Sequence, residues 1–186
     1  MLSANSSSII EPYLHLGDSY LNSNPHLAPV FGYTHVLNIT SEISPNWLLL
    51  LMLKKYKQIP ADDNFYYNIR LNFEEAFQMI DEARQTNGKI LVHCAMGISR
   101  SATIVIGYLM SRYKMSLFSA YNHVKSKRSQ INPNKHFMRT LEIYEKELSG
   151  NYIRAQLIST ANQRPSYTFV FRPELHSIRF PKIKNF

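Results

Sequence analysis

Apolar positions along this chain alternate between two patterns. Compact apolar runs at "HVLNIT" (35–40) and "KILVHCA" (89–95) suit strands buried on both faces. "IEPYLHLG" (10–17) reads as a shorter strand closed by Gly17, and "YKQIPA" (56–61) as a strand ended by Pro60. Other stretches carry the three-to-four spacing of helices. In "IRLNFEEAFQMIDEARQTNG" (69–88) the stripe runs Leu71, Phe73, Ala76, Phe77, Ile80 and Ala83, and Asn87-Gly88 stops it. The apolar run from Ser101 to Tyr113 predicts a helix buried on most sides. "SLFSAYNHVKSKRS" (116–129) offers Ser116 as a cap and the stripe Leu117, Ala120, Tyr121, Val124. "PNKHFMRTLEIYEKEL" (133–148) predicts a last amphipathic helix with Pro133 near its start. Strands alternating with helices predict an α/β fold with a central, mostly parallel sheet flanked by helices.

Composition narrows the class without choosing a function. At 186 residues, 45% hydrophobic and 18% charged, the chain suits one globular domain with a tail. The expected division is a flexible N-terminus over 1–7, a compact domain over 8–149 and a basic tail over 150–186. Residues 1–150 carry 15 Lys/Arg against 12 Asp/Glu, whereas six Lys/Arg face only Glu174 beyond them. Such a field favours acidic or phosphorylated partners, nucleic acid or anionic membrane without choosing among them. One cysteine excludes an internal disulfide and fits a reducing compartment. "NWLLLLML" (46–53) is too short to span a bilayer. The first twelve residues lack a signal-peptide pattern, and Leu2 stands where myristoylation needs glycine. The expected location is therefore cytoplasmic or nuclear, with no membrane span.

The single cysteine lies in "KILVHCAMGISRSATIVIGYLM" (89–110), at the joint between a predicted strand and a predicted helix. Free N–H groups at a helix start, aided by the helix dipole, form an anion site. Gly97 would let the backbone turn closely around a bound group. Those N–H groups and Arg100 would favour the thiolate of Cys94, and Arg100 can fork onto two phosphate oxygens. The bland alternative makes Cys94 a small buried hydrophobe and Arg100 a surface residue. His93, Gly97, Ser101 and the strand-to-helix setting weigh against it.

"VHCAMGISRSAT" resembles the signature loop of cysteine-dependent protein phosphatases, in the form used by the dual-specificity branch. The resemblance extends over most of residues 8–148, through "YTHVLNIT", "IPADDN" and "INPNKHFMRTLEIYE". It implies a protein tyrosine phosphatase-like fold and a phosphocysteine intermediate. Cys94 would then be the nucleophile. Arg100 and the amides of the loop, through Ala95, Met96, Gly97, Ile98 and Ser99, would hold the phosphoryl oxygens. Ser101 would hydrogen-bond the sulfur, and His93 would orient the loop from beneath. The resemblance aligns Asp63, 31 positions before Cys94, as general acid, leaving Asp62 as a turn former. Arg128 has two readings of equal weight, a pocket arginine for a second phosphate or a solvated helix end. Asn134 resembles the asparagine that braces the signature loop, and also reads as a helix cap. His15, His35 and His123 lack ligand-like spacing, so neither a metal nor a cofactor is expected.

The chain departs from the family pattern at His136, which precedes Phe137 where glycine is frequent. It also lacks a second cysteine to trap an oxidised Cys94 as a disulfide. The loop positions Ala95, Met96, Ile98 and Ser99 are uncharged, which argues against inositol-lipid substrates. Expected partners are phosphoproteins carrying phosphotyrosine or phosphoserine/phosphothreonine, a MAP kinase among the candidates, and nucleic acid is not expected. The alternative is a catalytically weak phosphoprotein-binding module or scaffold that uses the same pocket.

Overall fold

The computed structural model describes residues 5–150. The basic tail, with "SYTFVFRP" as an edge-strand candidate and "HSIRFPKIKNF" as a docking segment, lies outside the described residues.

Five strands form one sheet in the order β1-β2-β5-β3-β4. They are β1 (Ser6–Ile10), β2 (Leu14–Gly17), β3 (His35–Asn38), β4 (Lys55–Gln58) and β5 (Ile90–His93). Every neighbouring pair is parallel except β1 with β2. Short helices α1 (Tyr20–Ser23), α2 (Leu27–Val30) and α3 (Trp47–Met52) accompany the first strands. The longer α4 (Phe73–Gln85), α5 (Arg100–Arg112), α6 (Leu117–Lys127) and α7 (Lys135–Leu148) follow.

Strand alternation divides the interior in two. Ile90 and Val92 of β5 and Leu37 of β3 join the large core built with α4 to α7. Leu91 and Val36 turn the opposite way, onto Leu21, Leu27, Ala28 and Leu49 of the short helices. The central strands are apolar on both faces for this reason, since each face is covered. Helix α5 is almost wholly buried, and Gly107 admits the rings of Phe73 and Phe77 where a Cβ would stand 3.1 to 3.2 Å from them. Helix α7 contributes Phe137, Thr140, Leu141 and Tyr144, the face of a 3.6-residue period.

Two expectations need correcting. Ser6 and Ser7, assigned to a flexible terminus, pair with Gly17 and Leu16 as β1. A serine-rich edge strand is held by main-chain hydrogen bonds, which leave no apolar alternation to read. The stripe on 69–88 begins one turn late. Ile69–Asn72 is a 3-10 turn, whose tighter winding throws Leu71 outward to 78% exposure, and the α-helix starts at Phe73. Pro133 lies near the start of the last helix, immediately before its cap Asn134.

Candidate active site

Parallel strands place their C-terminal ends on one edge of the sheet, and four of the loops beyond them meet there. β5 leads into residues 94–99, β2 into Asp18 and Ser19, β3 into Glu42, and β4 into Asp62 and Asp63. Because β5 lies between β2 and β3, its loop sits where the neighbouring connections diverge.

The loop 94–99 is organised from outside. Each of its carbonyls meets a donor on its outer side or in the helix behind it. His93 Nδ1 lies 3.3 Å from Cys94 O, so the imidazole carries its proton on Nδ1. Ser19 reaches Ala95 O through its amide at 3.3 Å and its hydroxyl at 3.2 Å. Met96 O receives Arg128 Nη2 at 3.1 Å and Gln130 Nε2 at 3.3 Å. Gly97 O receives Arg128 Nε at 2.9 Å, Ile98 O the amide of Asn132 at 2.9 Å, and Ser99 O the amide and hydroxyl of Thr103. A trans peptide points its N–H opposite its carbonyl, so outward carbonyls leave the amides of 95–100 facing the pocket. Among the described residues those amides donate to no other group. Gly97 adopts φ +65°, and a Cβ there would stand 2.4 Å from the carbonyl oxygen of Gly17. The glycine is thus demanded by the strand beneath the loop, rather than only by a bound group.

The pocket over this loop has a volume of about 320 Å³, and Asp63, Cys94, Met96, Ser99, Arg100 and Asn134 are among its lining residues. Cys94 lies at its base, 2% exposed, with Ser101 Oγ donating to its sulfur at 3.2 Å. Arg100 is buried, and both Nη atoms are fixed on Glu42, each at 2.7 Å, with Nη1 also on Ala61 O at 3.0 Å. Burial works against its charge, but Glu42, Cys94 and Asp63 outweigh it and hold the guanidinium firmly protonated. In return Arg100 draws the Glu42 carboxyl down to about 2. Arg100 Nε is buried without a hydrogen-bond partner, and its nearest acid is Asp63 Oδ2 at 3.9 Å. A group with oxygen atoms in this pocket would satisfy it.

Asp63 and Asp62 part company. Asp63 Oδ1 accepts from Ser99 Oγ at 2.8 Å and from Asn134 Nδ2 at 2.7 Å, which places the carboxyl over the loop. Asp62 accepts from Ser41 and does not line the pocket. Asn134 Oδ1 caps α7 by accepting from Phe137 N, its backbone amide donates to Ser99 Oγ of the loop at 3.1 Å, and its Nδ2 holds Asp63. His93 is enclosed, and burial pushes its pKa down to about 4, so the ring is neutral at neutral pH.

Arg128 answers to neither of its expected readings. It is 8% exposed, absent from the pocket lining, and its guanidinium is spent on the carbonyls of Asn5, Met96 and Gly97. The assignment as a substrate-binding residue is corrected accordingly. At the end of α6 the chain turns toward the back of the loop, a direction that helical spacing does not reveal.

Sequence reasoning missed Glu42, Ser19, Gln130 and Asn132. Glu42 had one available signal, its position just past a central parallel strand. The other three act through long-range backbone contacts and carry no local signature. Among the described residues no group of three His, Cys, Asp or Glu side chains is arranged to hold a metal, and no helix is long and apolar enough to cross a membrane. His15, His35 and His123 bond to Tyr33, Thr34 and the carbonyl of Ile9.

A mostly parallel, helix-covered sheet with a thiol under a ring of inward amides defines a cysteine-based oxyanion site. Comparison with known proteins gives the class a name. Residues 14–147 match the family "Dual specificity phosphatase, catalytic domain", and the chain belongs to it. It is 42% identical over 139 residues to human dual specificity protein phosphatase 6, covering 75% of this chain and 36% of that protein. The chain thus spans about a third of that relative's length. Dual specificity protein phosphatase 1 of Arabidopsis thaliana is 38% identical over 144 residues, 77% of this chain and 71% of that one. Among solved structures, the human tyrosine phosphatase-like serine/threonine/tyrosine-interacting protein superposes with a TM-score of 0.71 at 32% identity, covering 78% of this chain and 98% of that one.

Proposed function

We propose that this chain is a dual-specificity protein phosphatase that hydrolyses phosphotyrosine and phosphoserine/phosphothreonine on proteins. The observation that carries the reading is the Cys94 thiol at the base of a pocket whose amides all face inward, with Asp63 across from it.

The Cys94 thiolate attacks phosphorus, forming the S–P bond as the ester P–O bond breaks. The departing oxygen takes the proton of Asp63, carried on Oδ2, the oxygen left free by Ser99 and Asn134. Arg100 Nε and the amides of 95–100 hold the three equatorial oxygens as charge redistributes. Water then attacks phosphorus, giving its proton to the Asp63 carboxylate. The S–P bond breaks, inorganic phosphate leaves, and the hydrogen bond from Ser101 Oγ stabilises the returning thiolate. His93, neutral and beneath the loop, orients Cys94 and takes no proton.

Among the described residues Arg100 is the one cation lining the pocket, and Arg128 is turned away, so the site suits one phosphate rather than a polyphosphorylated inositol. Phosphoproteins are therefore the substrates, with a MAP kinase activation segment carrying phosphothreonine and phosphotyrosine a suitable first case. The thiolate mechanism requires a reduced Cys94, which supports a cytoplasmic or nuclear site of action.

Phosphate release from a peptide phosphorylated on both Thr and Tyr tests this. The wild type should release phosphate from both residues, and Cys94→Ser should abolish release, a loss of about 10⁴-fold or more. A folded wild type that binds the peptide tightly and releases nothing would instead identify a phosphoprotein-binding module.

A further inference from the structure

Arg128 is a buried cation with no carboxylate paired to it among the described residues. Its three nitrogens each go to a carbonyl: Nε to Gly97, Nη2 to Met96 and Nη1 to Asn5, at 2.9, 3.1 and 3.1 Å. Burying a guanidinium is costly unless its protons are satisfied, and burial does push this one below its ordinary range, with Asp18 and Cys94 opposing. Packing alone would be served by an uncharged side chain. The arrangement instead spends the charge on the outer face of the loop.

Resting on the phosphatase reading above, we infer that Arg128 is a positioning residue that locks two peptide planes of the loop so that the N–H groups of Gly97 and Ile98 face the bound phosphoryl group. The two planes are not equally protected. Met96 O has a second donor in Gln130, whereas Gly97 O has Arg128 alone. Gly97 also has the backbone freedom to rotate the plane that follows it, since it carries no Cβ and already sits at φ +65°. Without Arg128 the Gly97–Ile98 peptide can turn its carbonyl into the pocket, replacing a donor by an oxygen that repels phosphate. The cation also polarises the carbonyls it binds, which strengthens the N–H at the other end of each peptide. A lysine ammonium keeps the charge but cannot span three carbonyls as the planar fork does.

The test compares Arg128→Met and Arg128→Lys with wild type in the full chain. Three quantities are read: kcat and KM for p-nitrophenyl phosphate, calorimetric affinity for tungstate as a tetrahedral oxyanion, and Tm. Well below Tm, Arg128→Met should lose about 10²-fold in kcat/KM, the scale of losing an oxyanion donor. Tungstate should bind at least about tenfold more weakly, and Arg128→Lys should recover part of both losses. A role limited to stability would lower Tm and leave both quantities at wild-type values in the folded protein, which overturns the inference. Should Arg128→Met fail to fold, Arg128→Lys alone is read by the same two measures. A wild type that binds tungstate but releases no phosphate would sink the phosphatase reading. Tungstate affinity would then decide for or against Arg128 by itself.

Discussion

The loop 94–99 is anchored at every carbonyl, whereas residues 62–66 across the pocket are exposed from end to end. Donors from β2's loop, α5, α6 and the segment before α7 surround the first loop. The second reaches the site by one side chain, Asp63, through Ser99 and Asn134. The contrast follows from what each must do in the proposed reaction. Amide donors help only if they already point where charge develops, so their loop is fixed in advance. An acid that protonates a leaving group and then serves as base needs the right reach and an exchangeable proton. A side-chain tether on an exposed loop supplies both.

The largest effect expected from the exposed side is that of Asp63→Asn. It should lower kcat about 10²- to 10³-fold with phosphoserine peptides, whose leaving group needs a proton, and less with p-nitrophenyl phosphate. Asp62→Asn should leave kcat unchanged, since its carboxylate meets Ser41 instead. Equal losses in the two variants, measured by steady-state kinetics, would break the assignment.

A smaller effect comes from the shared tether. Asn134→Ala removes a helix cap worth about 1 kcal/mol and also frees Asp63 from one of its two donors. Thermal denaturation should register the cap, and kcat with phosphoserine peptides should fall several times less than in Asp63→Asn. A loss of stability with unchanged kcat would show that Ser99 alone holds the acid.

The smallest effect at neutral pH concerns the base of the anchored loop. Buried His93 titrates near 4 rather than 6.5, and His15 does the same, burial being the main cause in each. A depressed folded pKa means the unfolded chain binds protons first. Stability from these rings is therefore complete above pH 6.5 and is lost as pH falls toward 4. Glu42, held near 2 by Arg100, keeps its contribution until pH drops below about 4.5. Tm measured from pH 8 to pH 3 should fall first with the histidines and later with Glu42. Replacing His93 by Asn should flatten the first part of that fall.

Local pattern carried much of this protein. Apolar runs at 35–40 and 89–95 and the helical stripes of α4 to α7 place the sheet and its main covering layer. Cys94, Gly97, Arg100 and Ser101 fall within eight consecutive positions, close enough for one strand-turn-helix unit to bring them together. Asp63 was legible only through resemblance, because nothing near it distinguishes it from Asp62. The short helices α1 to α3 and strand β1 were not legible, since helices of four to six residues and a serine-rich edge have no period to read.

What tertiary structure alone decided is which long-range partner each polar group finds. Glu42 forks Arg100 across 58 positions, and Asp63 reaches Asn134 across 71. Arg128, open between pocket and solvent on the sequence, goes to the back of the loop. Sequence periodicity encodes which face of an element is apolar, because burial repeats with the geometry of the helix or strand. A single hydrogen bond between distant loops repeats nowhere, so its partners are chosen only when packing has set the distance between them.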